Sequence, residues 1–336
     1  MLKYILKRFF NGLIVLLGVI TITFFIARVI PSDPAAKWVG ARATAEQKAA
    51  AVIELGLDKP LYVQYFVYLG DLLQGDLGRS LNSKQQITTE LATYFPATFE
   101  LVLIAFVFAV IIGIPLGIYS AKKNGKLLDH ISRFFSIGAV SLPTFWVGLI
   151  LQLVFYRMLG WLPLGGRISV QASIFNEIPN ITGLLLVDCV LKGQWSLFLD
   201  ALAHIVLPAI TISLYPIGLV ARMTRSALLE ILNEDYIVAS RSYGVHEGRV
   251  LWGYALKNSL GATATVVALS MGYTLVNTFL TETIFSWPGL GSYVGKSVVT
   301  LDFPAIVGIS LVSAIFYVVL NLLADIIIAM DPRVRL

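Results

Sequence analysis

Residues 233–259 read NEDYIVASRSYGVHEGRVLWGYALKNS, a polar stretch between two long apolar ones. Charged side chains are costly in lipid, so this stretch must lie outside the bilayer if its neighbours cross it. A short helix is predicted over 235–243, and Gly244 can adopt the left-handed conformation that ends a helix. With a second helix predicted over 247–258, residues 233–259, the polar insert, are expected to form a helical knob at the membrane surface.

The composition of the whole chain indicates an integral membrane protein. Of its 336 residues, 57% are hydrophobic and only 13% are charged, and the mean hydropathy is +0.81. A soluble domain exposes more charge than this. The net charge of +5 is expected to orient the chain in the membrane rather than to bind nucleic acid. The single cysteine, Cys189, and three scattered histidines argue against an internal disulfide, a metal site and a redox centre.

Six membrane-spanning helices are predicted. The first covers residues 1–30; its apolar run is too long for a signal peptide, and no small-residue cleavage site follows it. The other five are predicted over 97–121, 134–159, 203–221, 259–281 and 304–329. The apolar stretch 181–191 is too short to cross a bilayer and is assigned to a loop.

Residues 31–96 are predicted to form a small helical insert outside the cytoplasm. Thr44 and Gln47 have the spacing of a capping box, at the start of a helix that Gly56 closes. Pro60 is expected at the first position of an amphipathic helix that follows. The favoured interpretation is a structural cap over the membrane core, and direct capture of a solute is the alternative.

The basic residues predict which segments face the cytoplasm. With the N-terminus inside, the cytoplasmic segments hold 14 of the 25 Lys and Arg, and 6 of the other 11 lie in the long 31–96 insert, where the positive-inside rule has little force. A loop over 222–258, which holds all but the last residue of the polar insert, and a tail over 330–336 are therefore predicted to be cytoplasmic. Both termini are then inside.

The spans carry helix breakers and few charges. Glu100 is expected in the first turn of its helix, where the helix dipole favours a carboxylate, and Asp325 near the cytoplasmic end of the last span. Irregular packing of a bundle is the favoured reason for the prolines, and bent helices that enclose a solute path are the alternative. Prolines stand at 115, 143, 208 and 216, and neutral polar residues near the midplane are Gln152, Asn277 and Asn321.

No motif in the chain supplies energy or catalysis. Gly295-Lys296-Ser297 ends like a P-loop, but Leu290 stands where the first glycine belongs. An ion-coupled carrier needs more charged groups in the membrane than these spans offer. We therefore expect a transport component that is driven from outside the chain and is not an enzyme.

Motifs along nearly the whole chain resemble those of one transporter family. VASRSYG in the polar insert resembles the EAA loop of ABC-importer permeases, with Ala239 and Ser240 at the two alanines and Gly244 at the glycine. Val238 replaces the usual Glu, for which Glu234 or Asp235 could compensate. Other stretches are similar to the dipeptide/oligopeptide/nickel permeases, and most of all to the B-type subunit of a dipeptide importer: IPSDPA, LGLDKPLYVQY, GDLGRS, SLPTFWVGL, LPLGGR, RMTRSALLE, TETIFSWPGLG and DPRVR.

This resemblance implies an all-α permease fold of the ABC type I importer class, in the bacterial inner membrane. It implies a homologous second permease, two cytoplasmic ATPases that bind ATP and Mg²⁺, and an extracytoplasmic solute-binding protein as partners. This chain would itself hold no cofactor and no metal. The polar insert would be the coupling helix, seated on an ATPase through Asp235, Ala239, Ser240, Arg241, Gly244 and Arg249.

Two further points stay open at the level of sequence. Trp287-Pro288-Gly289 predicts a rigid turn at the outer mouth, for which packing on neighbouring helices is favoured over solute contact. Di- or oligopeptides are the favoured solutes, with nickel complexes, glutathione and other small solutes as alternatives. A stand-alone secondary transporter and an intramembrane enzyme are weaker alternatives, since no charged core and no catalytic pair is found in the spans.

Overall fold

The computed structural model describes residues 2–29, 33–40 and 42–330. Regular structure within these residues is helical, apart from one isolated antiparallel bridge between Arg79 and Gln86, so the all-α prediction is confirmed. The helices, in chain order, are α1 (Leu2–Val29), α2 (Pro34–Val39), α3 (Ala45–Glu54), α4 (Leu61–Leu73), α5 (Ile87–Lys122), α6 (Leu127–Ser141), α7 (Thr144–Leu151), α8 (Val170–Phe175), α9 (Leu185–Leu191), α10 (Trp195–Ile231), α11 (Asp235–Ser242), α12 (Glu247–Arg249), α13 (Leu256–Val276), α14 (Thr278–Ile284), α15 (Leu290–Val299) and α16 (Phe303–Met330). Two π-helical segments extend α7 (Gln152–Met158) and join α12 to α13 (Val250–Ala255).

Five of the six predicted spans overlap a helix, or a bent pair of helices, that is long and apolar enough to cross a bilayer. Within the described residues, four helices are long and apolar enough to cross a bilayer, namely α1, α5, α10 and α16. The pair formed by α6 and the α7 segment meets the same test as one unit, bent by 106°. The span predicted over 259–281 corresponds to α13, where the described apolar stretch is the shorter Val266–Leu275. Of the tail predicted over 330–336, only Met330 lies among the described residues.

Three helices differ in extent from the predicted spans. Helix α5 begins at Ile87 rather than at 97 and α10 at Trp195 rather than at 203, because amphipathic turns precede the apolar runs. The span predicted over 134–159 is broken between α6 and α7. Leu142, which precedes Pro143, has the extended backbone that a following proline favours (φ −77°, ψ 136°).

Two further corrections concern segments outside the predicted spans. The second helix of the polar insert does not end near residue 258, since α12, the π-helical segment and α13 run on without a break from Glu247 to Val276. Residues 181–191 are not all loop, because α9 forms there. Helix α9 follows a turn in which the Asp188 carboxylate accepts hydrogen bonds from the backbone N–H groups of Ile181, Thr182 and Gly183 at 2.9–3.1 Å.

Hydrogen bonds tie the 31–96 insert to the bundle. The capping box of Thr44 and Gln47 is confirmed, as is the left-handed Gly56 (φ +61°) after α3. Helix α4 starts at Leu61, directly after Pro60 rather than at it. The buried carboxylate of Asp302 accepts hydrogen bonds from the Ser80 hydroxyl at 2.5 Å and the Leu81 N–H at 3.0 Å. These bonds fasten the insert to the start of α16.

Helices α5 and α10 form the centre of the bundle. They approach closely at Gly113 and Gly117 on α5: a Cβ atom at Gly117 would lie 2.7 Å from the carbonyl oxygen of Ala221 on α10. Such small residues four positions apart let two helix backbones pack together in a membrane. The structure therefore gives these two glycines a packing role.

Helix α5 also separates two buried clusters. Ala97 belongs to the cluster that contains Trp287, and Ala121 to the cluster that contains Ile237 of the polar insert. At 1.5 Å per residue, these alanines are about 36 Å apart along the helix. The Trp287 turn and the polar insert therefore lie at opposite ends of the bundle.

Candidate functional site

Helix α11 is anchored to the bundle by one side chain and exposed on its other face. Ile237 is fully buried and packs in a cluster with Ile118 of α5, Leu228 of α10 and Leu251. Asp235 and Ala239 are exposed, and so is Val238, at 53%. Ser240 is half-buried, and its hydroxyl donates to the Tyr236 carbonyl at 2.7 Å. The buried side chain of Ile237 fixes the orientation of α11. The opposite face of α11 is exposed and has no partner helix in the described bundle.

The turn after α11 depends on Gly244. Its φ is +75°, which confirms the predicted left-handed conformation, and this conformation is strained for residues with a Cβ atom. A Cβ atom at Gly244 would have no heavy atom within 4 Å. The glycine is thus required by the backbone conformation and not by crowding within this chain.

Two basic residues of the insert have different surroundings. Arg241 pairs with Glu247 across the turn, Nη2 to Oε1 at 2.9 Å and Nε to Oε2 at 3.2 Å. These charged hydrogen bonds from Arg241 hold the pKa of Glu247 below its ordinary value. Arg249 is exposed. Glu247 thus supplies the carboxylate that Arg241 contacts. Glu234, which immediately precedes α11, makes no side-chain capping bond to that helix.

An ion-pair cluster that the sequence did not predict lies near the same end of the bundle. The Asp129 carboxylate on α6 is fully buried and accepts two hydrogen bonds from Arg225 on α10, at 2.6 and 3.0 Å. It also accepts from the Ser120 hydroxyl at 2.6 Å and the Gly125 N–H at 3.0 Å. Asp129 thus joins the end of α5, the start of α6 and the part of α10 that leads into α11.

Nothing in the local sequence signals the partner of Arg225. Ninety-six positions separate it from Asp129. The position of Asp129 in the first turn of α6 is equally explained by the helix dipole. Only the packing of α6 against α10, which run in opposite directions, brings the two side chains together.

The turn over residues 287–289 is buried at the other end. Trp287 is 1% exposed, and its indole N–H donates to the Ala97 carbonyl of α5 at 2.9 Å. Next to it, the buried Glu282 carboxylate accepts from the Thr98 hydroxyl at 2.6 Å and from the N–H of Gly291 at 2.7 Å. Gly289 lies against both of those side chains, Thr98 and Glu282, with no room for a Cβ atom. Pro288 thus lies within a turn that is tied to α5 on both sides.

Glu100 has a different environment from the one predicted. It lies in the fourth turn of α5, not the first, because α5 begins at Ile87. Its buried carboxylate pairs with Arg167 at 2.5 Å and accepts from the Leu186 N–H at 2.7 Å. A buried carboxylate needs such partners. The guanidinium of Arg167 compensates the charge of Glu100, a role that the sequence predicted for the helix dipole.

Comparison with known proteins identifies relatives over the whole chain. Residues 113–336 match the family model described as binding-protein-dependent transport system inner membrane component, and residues 1–102 match the model of the N-terminal part of such membrane components. The probable D,D-dipeptide transport system permease protein DdpB of Escherichia coli K12 is 42% identical, over 98% of this chain and 96% of that protein.

Two other relatives are similar over their full length. The di/tripeptide transport system permease protein DppB of Pseudomonas aeruginosa is 41% identical, over 100% of this chain and 99% of that protein. The dipeptide transport system permease protein DppB of Alkalihalophilus pseudofirmus is 39% identical, over 100% of both chains. A solved structure of the MetNI methionine ABC transporter in inward-facing conformations matches with a TM-score of 0.50 and 17% identity, over 70% of this chain and 95% of that one. This last likeness shows the fold alone.

Proposed function

The chain belongs to the family of binding-protein-dependent transport system inner membrane components, and we propose that it is the B-type permease subunit of an ATP-driven importer of di- and oligopeptides. It is an integral inner-membrane protein and a transport subunit. ATP hydrolysis in such importers belongs to partner subunits, so the chain is not an enzyme.

The names of the relatives support a peptide as the solute. Those described above are named for D,D-dipeptides, di- and tripeptides, and dipeptides, and each is 39–42% identical over at least 98% of this chain. Identity of this extent covers the spans as well as the loops. Peptides are therefore favoured over nickel complexes and glutathione.

The partners we propose are a homologous second permease, two cytoplasmic ATPases and an extracytoplasmic solute-binding protein. ATP and Mg²⁺ would be bound by the ATPases, and this chain would hold no cofactor. The N- and C-termini and the polar insert would face the cytoplasm, which agrees with the basic residues of the short segments.

The exposed face of α11 is the proposed coupling surface. The observation that carries this proposal is its asymmetry: Ile237 is fully buried against α5 and α10, while Val238 and Ala239 face outward. A groove on an ATPase could receive the small exposed residues at close range. Closure of the ATPases would then move α11, and the Arg225–Asp129 pair would carry that movement to α6.

The test replaces Gly244 in the importer reconstituted in proteoliposomes with its partners. The Gly244→Val variant should insert and assemble normally. It should lose most of its peptide uptake and most of the ATPase activity that the binding protein stimulates. The reason is that valine is strained at positive φ and enlarges the surface of the turn. Gly244→Asn is the matched control, since asparagine tolerates the left-handed conformation, and it should retain more activity. Normal stimulation and uptake by the valine variant would refute the coupling role.

A further inference from the structure

A cavity of about 280 Å³ lies where the helix formed by α6 and α7 is broken. Its walls come from three parts of the bundle: residues 139–144 around the break, Ile212 and Tyr215 of α10, and Tyr273, Thr274 and Asn277 at the end of α13. Tyr215 lies near the middle of the 37-residue helix α10. We call this space the midspan cavity.

The polar groups of the midspan cavity are neutral. None of the residues that line it is charged, and its polar side chains are hydroxyls and one carboxamide. Hydroxyl and carboxamide groups can both donate and accept hydrogen bonds. The amide groups of a peptide backbone also need a donor and an acceptor, and they recur whatever the side chains are.

Two tyrosines give this lining its shape. The rings of Tyr215 and Tyr273 are 4.8 Å apart between centroids and tilted by 33°, and Tyr273 is 49% exposed. In the part of the chain that the structure describes, neither phenolic hydroxyl has a hydrogen-bond partner. Asn277 uses one N–H group, which donates to the Tyr273 carbonyl at 2.9 Å, and its side-chain oxygen is left to accept. Hydrocarbon cannot satisfy such groups within a membrane.

Apolar side chains complete the wall. Ile212 and Ala139 are buried, and Leu142 is 47% exposed. Ligand pockets combine this kind of apolar lining with a few convergent polar groups. The volume is near the lower limit of such pockets, about 300–1,000 Å³, and suits a dipeptide or one end of a longer peptide.

We propose that the midspan cavity binds the backbone of a short peptide during its passage, with Tyr215, Tyr273 and Asn277 as its hydrogen-bonding groups. This inference rests on the proposed function and names a solute contact within it. A neutral site suits transport of peptides of varied sequence, because it holds the shared backbone without selecting a charged side chain. Such a site needs to bind the solute only loosely, because conduction requires its release.

The first experiment measures uptake by the complete importer in proteoliposomes. Tyr215→Phe and Tyr273→Phe keep the rings and remove one hydroxyl each, so each should lower the rate of dipeptide uptake at low concentration by about three- to tenfold. ATPase stimulation by the peptide-free binding protein should change by less than about twofold, since that step precedes peptide entry. Tyr156→Phe, at a residue 43% exposed outside the cavity, is the control and should transport normally.

The second experiment detects occupancy directly. Tyr273→Cys introduces an accessible thiol, and the natural Cys189 is fully buried, so a thiol reagent should label the new cysteine selectively. A dipeptide should protect it in the assembled complex, and an equimolar mixture of the two free amino acids, which lacks the peptide bond, should protect it less. Tyr156→Cys should be labelled equally with and without peptide.

The outcomes separate this inference from the function on which it rests. If the wild-type importer shows no ATP-dependent peptide uptake, the proposed function fails, whatever the labelling shows. If the wild type transports peptide but the phenylalanine variants match it and Tyr273→Cys is not protected, the midspan cavity is not a peptide site. If Tyr273→Cys is labelled only in the isolated subunit and never in the complex, the second permease covers the cavity and the proposal is wrong.

Discussion

Arg225 of α10 holds Asp129 of α6 through two hydrogen bonds, Nε to Oδ1 at 2.6 Å and Nη2 to Oδ2 at 3.0 Å. The same arginine donates to the Asn124 side chain at 2.9 Å, in the turn between α5 and α6. Because α10 leads directly into α11, these bonds connect the proposed coupling helix to two other helices of the bundle. Together, these hydrogen bonds hold α10, the start of α6 and the turn after α5 in place relative to one another.

Loss of the Asp129 charge should therefore destabilise the packing of α6 against α10 and the end of α5. Asp129→Asn leaves Arg225 without its buried counter-charge, and removal of one member of such a pair costs about 3–5 kcal/mol. We expect a clearly lower thermal unfolding temperature of the purified complex and weaker stimulation of its ATPase. Arg133→Gln is the control, because Arg133 lies 3.7 Å from the same carboxylate but is 46% exposed; exposed pairs contribute below about 1 kcal/mol. Equal effects of the two variants would contradict this account.

The contact of α5 with α10 should tolerate no added methyl group at Gly117. A Cβ atom there would lie 2.7 Å from both the Ala221 carbonyl oxygen and the Thr224 Cβ atom, and overpacking of this kind costs about 1–3 kcal/mol. Gly117→Ala should lower the unfolding temperature and the yield of assembled complex. Gly138→Ala, where a Cβ atom meets nothing within 4 Å, should leave both unchanged. A stable Gly117→Ala variant would mean that the helices can separate at no cost.

The buried side chain at position 282 should need a hydrogen-bond acceptor at each of its two terminal atoms, as the carboxylate of Glu282 provides. One oxygen accepts from the Thr98 hydroxyl, which itself accepts from the Leu290 N–H, and the other accepts from Gly291. In Glu282→Gln, an NH₂ group directed at Gly291 faces a backbone donor, and one directed at Thr98 makes that hydroxyl give up the bond it donates, at a cost of about 1–3 kcal/mol. We expect lower thermal stability and faster proteolysis after Trp287.

Thr98→Ser is the matched control for this cluster, because it keeps the hydroxyl that donates to Glu282. It should be close to the wild type in both measurements. If Glu282→Gln were as stable as Thr98→Ser, the hydrogen bonds of this turn would contribute little to its position.

Much of the fold could be predicted because it depends on local signals. Length and apolarity identified α1, α10 and α16, and the hydrogen-bonding side chains of Thr44 and Gln47 identified the start of α3. Gly244 was predicted at positive φ from its place after a short helix. In each case the residues that determine the conformation are within a few positions of one another.

What the sequence did not predict depends on residues far apart in the chain. Glu100 and Arg167 are 67 positions apart and Thr98 and Glu282 are 184 apart, so no spacing rule connects them. The break at Leu142 was expected only as a kink, because the sequence does not tell how far a helix turns at a proline. The midspan cavity exists only where that break meets α10 and α13, although Asn277 had been placed near the midplane.

The Arg241–Glu247 pair offers a test of what Arg241 does. The two-bond geometry across the Gly244 turn suggests that Arg241 braces this turn, whereas the family resemblance implies contact with an ATPase. Each single reversal, Arg241→Glu or Glu247→Arg, places like charges together and should lower the stimulated ATPase activity. If the pair acts within this chain, the double reversal should restore most of that activity; if Arg241 acts on the ATPase, the double variant should stay impaired.

The pH dependence of the Arg241–Glu247 pair adds a second measurement. Because Arg241 lowers the pKa of Glu247, the carboxylate is charged throughout the neutral range. Its contribution is fully present above the unfolded-state pKa, ordinarily about 4.3, and is lost as the pH falls through the lower folded-state value. The ratio of wild-type to Glu247→Gln stimulated ATPase activity should therefore be constant between about pH 6 and pH 8. A ratio that changed across this interval would mean that the carboxylate titrates near neutrality and is not held by Arg241.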